Sequence, residues 1–377
     1  MKGFGILERR PTVAIIDRAA IQSNYFKLKK SIAKNVDMLA VVKANAYGHG
    51  AVEIAKTLEH AGCNFFAVAL SEEGIELREA GVKSAVIILG GIYLNQIRDV
   101  IEYDLTPVIF DIETARIIDS LAGKAGKRIK VHIKIDTGMG RLGLLSCQVA
   151  SFFKAMKELA NLEVDGILSH FAEADEEDKE FSKKQLNLFL SIIKAVQDLG
   201  FQPRLFHIAN SAAIVKHKDS HFNLVRPGIM LYGAYPAGHM IENINLKPAM
   251  KLVTQIVHIK QAPKGFSVSY GRKYITKRDS IIATIPIGYA DGYPRSLSNK
   301  GEVLIRGQRA KVAGTICMDI TMLDVTHIKG VKQGDEAVLI GKQGNDKVTV
   351  DELAEKAGTI SYEILCGITS RVPRVYT

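Results

Sequence analysis

Lys43 ends an apolar run in MLAVVKANAYGHG. A lysine there is costly unless it is paired or neutralised, and desolvation lowers its pKa toward the free amine that imine formation needs. A lysine snorkelling at a rim is the alternative. Tyr47, four residues on, places a hydroxyl near the same point or simply packs. Arg141 lies in DTGMGRLG, His170 closes VDGILSH, Asn210 closes RLFHIAN with Ser211 next, and Arg226 and Gly228 close NLVRPG. Glycine and serine donors beside arginines are phosphate-binding groups, and with a strand-end lysine they suggest an imine-bound phosphorylated cofactor, pyridoxal phosphate above all. A guanidinium, with a pKa above about 12, cannot give its proton to a pyridine nitrogen. Arg226 at that nitrogen makes the ring a weaker electron sink and suppresses transamination, which an aspartate would favour.

These residues share one kind of place. Eight short β-rich runs alternate with helical stretches up to about residue 235: 38–44, 65–70, 85–90, 106–110, 129–136, 164–170, 204–210 and 223–228. Several are apolar on both faces, as strands between a barrel interior and outer helices should be. Between them, KKQLNLFLSIIKAVQDLG repeats Leu186, Phe189, Leu190 and Ile193 at helical spacing. The pattern predicts a (β/α)8 TIM-type barrel, whose reactive groups collect at the C-terminal ends of its strands. A doubly wound sheet would place G-x-G-x-x-G after the first strand, and NAYGHG does not match. Beyond residue 245, alternating runs such as SIIATIPIG and GDEAVLIG point to a mostly β domain. The expected division is a cofactor-binding barrel over 12–240, with 1–11 and 241–377 forming the β domain. Near the end, VTVDELAEKAGTISYEI reads as a capped helix followed by a strand.

Length and charge narrow the class. The 377 residues suit about two domains, and 47% hydrophobic against 24% charged residues is globular composition. The net charge of +10 is not clustered and has no aromatic series beside it, so it reads as a solvated surface and not a nucleic-acid site. The four cysteines form no C-x-x-C pair, the N-terminus lacks a signal-peptide core, and no apolar run approaches the ~18 residues of a membrane span. A cytoplasmic protein with no membrane partner is expected. His132 and His207 read as hydrogen-bonded structural residues. The acidic stretch 172–180 reads as a solvated loop and helix start, with no metal site.

The segments AVVKANAYGHG, DTGMGRLG, SHFA, HIANSAA, VRPGIMLYG, VSYGRKY, IPIGYADGYPR, AGTICMDI, ISYEI and RVPRVY occur in order along nearly the whole chain. In them the chain resembles the alanine racemases of bacterial cell-wall synthesis. The resemblance implies a (β/α)8 barrel plus a β domain, and a homodimer whose active sites each take residues from the partner. It implies that Lys43 holds pyridoxal phosphate and is the base on D-alanine, with Tyr270 of the partner the base on L-alanine. Without the resemblance, Tyr270 would pass for a turn or core tyrosine. Tyr47, Ser211, Gly228, Ile229 and Tyr362 become phosphate ligands with Asn210 beside them, and Leu89 packs on the cofactor. Arg226 meets the pyridine nitrogen, and His170 lines the ring and joins Tyr270 to Arg226. Arg141 reaches the phenolic oxygen and the substrate carboxylate, which the Met318 N–H binds from the partner side. Lys134, facing inward near Arg141, would be a carbamate as in some relatives. Asp175 and Arg295 line the substrate entrance in relatives, whereas Thr315 departs from an arginine common there. A broader-specificity racemase, a noncatalytic carrier of the same cofactor and a fold-related decarboxylase are the rivals. SYG and CMD weigh against the carrier, and Arg226 against the decarboxylase.

Overall fold

The structure, a computed structural model, describes residues 10–238, 240 and 244–377. β1 (Val13–Ile16) precedes eight parallel strands: β2 (Asp37–Val41), β3 (Phe65–Val68), β4 (Ala85–Ile88), β5 (Thr106–Ile109), β6 (Ile129–Lys134), β7 (Leu162–Leu168), β8 (Leu205–His207) and β9 (Leu224–Val225). They hydrogen-bond in the order β8-β7-β6-β5-β4-β3-β2-β9, with helices between them. All four residues of β3 are buried, as a strand covered on both faces requires. The helix Glu180–Asp198 buries Leu186, Phe189, Ile192, Ile193 and Val196 along one stripe. The ladder stops between β8 and β9, where the Asn223 side chain takes its place. Its Oδ1 accepts from Phe206 N–H at 2.8 Å and its Nδ2 donates to the Arg204 carbonyl at 2.6 Å. Farther up, Arg226 N–H donates to the Ala209 carbonyl at 2.9 Å. The eight-stranded parallel barrel is thus nearly closed.

The second sheet has ten strands. Nine follow the order β11-β14-β17-β16-β15-β18-β10-β1-β20, built from β10 (Met250–Gln255), β11 (His258–Ala262), β14 (Ser280–Ile285), β15 (Glu302–Ile305), β16 (Gln308–Val312), β17 (Thr321–Asp324), β18 (Glu336–Gln343) and β20 (Arg374–Tyr376), while β19 (Asp346–Val348) pairs with β18. A separate hairpin, β12 (Ser267–Val268) with β13 (Tyr274–Ile275), carries the turn at Tyr270.

Two local expectations change. β1 pairs antiparallel with β10, Val13 opposite Val253, so 13–16 belongs to the second sheet although it was expected in the barrel. A pairing between strands so distant in sequence leaves no local signal. Of the 1–11 segment assigned to the β domain, residues 1–9 lie outside the described residues. ISYEI is helical: after the helix Val350–Ala357, capped by Thr349, comes Ser361–Gly367, whose buried Ser361, Ile364 and Leu365 share a face. Along the other edge of β1 runs β20, parallel, and its Arg374 Nε donates to the Gly48 carbonyl at 3.0 Å.

Candidate active site

The strand expected to reach residue 44 ends at Val41, and Lys43 opens a tight turn. Ala44, Asn45, Ala46 and Tyr47 all take positive φ, 51° to 53°. A left-handed run in L-residues costs about 1–2 kcal/mol per residue, so something must hold it. Glu73 does much of this: Oε1 accepts from Ala44 N–H at 2.6 Å, while Oε2 accepts from Ala69 N–H at 2.7 Å at the start of its own helix. Asn45 Oδ1 accepts from Ala51 N–H at 2.8 Å, and the buried His49 ring donates from Nδ1 to the Tyr47 carbonyl at 2.9 Å. Arg374 closes the far end. The turn leaves the Lys43 amine facing the mouth groups: burial and the Arg141 guanidinium push its pKa down, with Glu73 pulling the other way.

Arg226, 4% exposed, is the organising cation. Its Nη1 donates to His207 Nδ1 at 3.0 Å and to the His207 carbonyl at 2.8 Å. Its Nη2 donates to the Ser169 and Ile208 carbonyls at 2.8 and 3.0 Å and to His170 Nδ1 at 2.9 Å. A guanidinium only donates, so it settles the tautomers around it. His170 must accept at Nδ1 and carry its proton on Nε2. His207 likewise keeps its proton on Nε2, 2.8 Å from His132 Nδ1, and the remaining His132 N–H faces Asp165 Oδ2 at 3.8 Å, a carboxylate paired with Arg204. Burial and the nearby Arg226 push His170 and His207 well below the usual imidazole range, which keeps both neutral. The two strand histidines expected to be structural are therefore links in a chain ending on Arg226. Gly166 makes room for it, since a Cβ there would sit 2.6 Å from the His132 ring.

Lys134 is 7% exposed, and burial, then Arg226 and Arg141, push its amine down to about 8. Among the described residues its amine has no hydrogen-bond or ion-pair partner, nor has the Arg141 guanidinium. Lys43, Lys134, Arg141 and Arg226 thus crowd one mouth with little anionic compensation.

Beside these cations lies a cradle of hydroxyl and amide groups. Gly228 N–H donates to Ser211 Oγ at 2.8 Å, and a Cβ on Gly228 would come within 2.6 Å of Tyr47 Oη. Tyr47 packs on Tyr232 and Tyr362, with ring centroids 4.9 and 6.0 Å apart, and burial pushes the hydroxyls of Tyr47 and Tyr362 up, keeping them protonated. Ile229 follows Gly228 at the start of a 3-10 turn, Leu89 sits half-buried just past β4, and Asn210 spends its Oδ1 capping its helix at Ala213 N–H, 3.0 Å. Asp175 lies near enough to Tyr362 to influence its hydroxyl, whereas Arg295 is exposed on the β domain.

Tyr270 and Met318 stand apart. They are 73% and 53% exposed and line, with Ser269, Cys317, Asp319 and Ile320, a hollow of about 500 Å³ on the second domain. Among the described residues no hydrogen bond, ion pair or ring contact links either side chain to Lys43 or Arg226. Thr315 is buried beside Tyr270 and donates to its carbonyl at 2.9 Å. Sequence reasoning missed Glu73, which signals only a helix start, and Cys366, whose thiol lies near enough to Lys43 to influence it.

Residues 16–236 match the family described as alanine racemase, N-terminal domain, and residues 249–376 the alanine racemase C-terminal domain. The chain is 47% identical over 367 residues to alanine racemase of Halothermothrix orenii, covering 97% of each, and 48% identical over 374 residues to that of Geobacter sulfurreducens, covering 98% of each. Solved structures agree. Alanine racemase of Clostridium difficile 630 in complex with cycloserine superposes with TM-score 0.91 at 38% identity, covering 98% of this chain and 96% of the other. That of Bacillus anthracis with bound L-Ala-P gives 0.93 at 37%, covering 98% and 95%.

Proposed function

This chain belongs to the alanine racemase family, and from that membership we propose that it interconverts L-alanine and D-alanine by a two-base mechanism, with pyridoxal phosphate held on Lys43. The working unit is a homodimer with shared sites. No described helix is long and apolar enough to cross a membrane, and the four cysteines are free, which suits the cytoplasm and a role in supplying D-alanine for peptidoglycan.

The crowding of Lys43, Lys134, Arg141 and Arg226 around one cradle carries this reading. Such a cluster needs an anion, and Gly228 keeps the cradle free of a side chain where Tyr47 Oη approaches, a Cβ there lying 2.6 Å from that oxygen. A phosphorylated aldehyde fits both, with Tyr47, Ser211, Gly228, Ile229 and Tyr362 holding the phosphate, Asn210 beside it and Leu89 against the ring. When bound, it supplies an electron sink that acidifies the α-C–H of an attached amino acid.

The protein's own groups do the rest. Lys43, its amine pushed down by burial and Arg141, is the base on the D face. Tyr270 of the partner subunit is the base on the L face, so proton removal and return occur on opposite sides without turning the substrate over. A tyrosine of ordinary pKa near 10 is a poor base at neutral pH. The His170 Nε2–H, oriented by Arg226, is the donor that stabilises its phenolate. Arg226, its pKa pushed down by burial and Arg141 to about 9, stays protonated at neutral pH and would be the donor toward the ring nitrogen. Arg141 and the Met318 N–H of the partner hold the substrate carboxylate, with Lys134 as a carbamate orienting Arg141.

Lys43→Ala should lose both the cofactor absorption band and racemisation in either direction. Dissociating and reassociating Lys43→Ala with Tyr270→Ala chains makes half the dimers mixed, each with one intact site of two, so about a quarter of wild-type activity returns from two inactive parents. Exchange confirmed by differently tagged chains, with no recovered activity, rules out the shared site.

A further inference from the structure

Tyr270 projects from a backbone that should not hold its shape unaided. Ser269 has φ 66° and ψ −178°, a region essentially reserved for glycine, and Gly271 and Arg272 follow with φ 69° and 50°. Such a turn persists only where its surroundings over-determine it. Here they do so by three fastenings to the segment 314–315. Ser269 Oγ donates to the Thr315 carbonyl at 2.5 Å, and in return Thr315 Oγ1 donates to the Tyr270 carbonyl at 2.9 Å. On the other side, Asn299 Oδ1 accepts from Gly314 N–H at 2.7 Å while its Nδ2 donates to the Lys273 carbonyl at 3.1 Å. Gly314 permits the close approach, since a Cβ there would meet the Val268 carbonyl oxygen at 2.7 Å. The tyrosine ring itself, being 73% exposed, has almost nothing to orient it except this backbone.

We infer that Thr315 is a positioning residue for Tyr270, its hydroxyl fixing the backbone from which the phenol is aimed at the partner subunit's site. The inference rests on the reading of Tyr270 as the base on L-alanine. The short, uncharged Thr315 side chain spends its hydroxyl on the Tyr270 carbonyl, so this position serves the aim of the base. Angular drift at the Tyr270 carbonyl is amplified along the side chain, and misplacement by about 1 Å can cost about a hundredfold in rate.

Thr315→Val keeps the branched shape and deletes the donor. In the holoenzyme, kcat should fall about tenfold with KM little changed, equally in both directions as the equilibrium constant requires. The α-deuterium isotope effect should rise for L-alanine, whose proton Tyr270 removes, and fall toward unity for D-alanine, whose proton Lys43 removes before Tyr270 reprotonates. Amide hydrogen exchange over 269–273 should quicken with or without cofactor, and Thr315→Ser should restore all of these. Asn299→Gly, which tolerates the φ of 59° at that position, should loosen the same amides from the opposite side. Unchanged exchange over 269–273 in both Thr315→Val and Asn299→Gly, or a rate loss with both isotope effects unmoved, overturns the inference. Tyr270→Phe separates the two levels. If it retains normal racemisation, the reading of Tyr270 as a base fails and takes this inference with it; if it is inactive while Thr315→Val behaves as wild type, only the role of Thr315 fails.

Discussion

Replacing Gly228 with alanine places a methyl carbon 2.6 Å from Tyr47 Oη, where ordinary contact begins at 3.4 Å, so the hydroxyl must retreat by about 0.8 Å. Tyr47 cannot slide far, with its ring against Tyr232 and Tyr362 and only 6% of the residue exposed. Overpacking of this kind costs about 1–3 kcal/mol. Without cofactor the hydroxyl can tilt into the open cradle and relieve most of that strain. With cofactor it cannot, so the strain falls on binding, as an affinity loss of about 5- to 150-fold. Titrating the apoprotein with pyridoxal phosphate, followed by absorbance, gives the affinity, and melting both forms separates binding from folding. An apoprotein that melts within about 2 °C of wild type with the loaded form destabilised is the expected pair. Affinity within twofold of wild type would show that Tyr47 and Gly228 do not form the phosphate cradle, and an equal loss of melting temperature in both forms would make the methyl a defect of the fold.

Arg226→Glu puts a carboxyl among the Ser169, His207 and Ile208 carbonyls and opposite the ring nitrogen; racemisation should slow and pyruvate formed per turnover should rise, and an unchanged ratio contradicts the role given to Arg226. At Lys134, where the amine titrates at about 8, carbamate should accumulate as pH rises through that value at high bicarbonate, and intact-protein carbon-13 spectra showing only a free amine would exclude it. Asp291 is fully buried and bound by Arg10 at 2.6 and 2.5 Å and by Gly288 N–H at 3.0 Å. Burial raises its pKa, but Arg10 and that amide outweigh the effect and the net shift is downward. Its contribution is therefore complete above the unfolded value near 3.9 and lost as pH falls through the lower folded value. Asp291→Asn should destabilise by about 3 kcal/mol at pH 7, the low end for a buried pair because Arg10 reaches solvent, and should flatten the acid limb; an unchanged acid limb refutes the assignment.

The barrel was legible because its strands are apolar on both faces, a signal local to each run. The polar cluster was legible where charged residues close apolar strands, as at Lys43 and Arg226, which the structure brings to one mouth. What escaped depends on contacts between distant segments. The left-handed turn 44–47 contains no glycine and is held by Glu73 and Arg374, whose types announce only a helix start and a polar end. His132 and His207 were read correctly as hydrogen-bonded, but that their bonds lead to Arg226 follows only from the geometry. Ser361–Gly367 was misread because a short apolar alternation fits strand or helix until its packing partner is known.

The strap formed by β20 orders events in time. Arg374 grips the Gly48 carbonyl, and the Tyr376 hydroxyl closes over Gly50, where a Cβ would meet it at 1.8 Å. Arg374 lies 138 residues beyond Pro236. At about 5–20 residues per second a ribosome needs roughly 7–28 s to make that stretch. Through that interval the barrel has all its strands while the turn at Lys43 lacks one of its fastenings. The turn that opens at Lys43 therefore gains its last fastening only when the end of the second domain has been made.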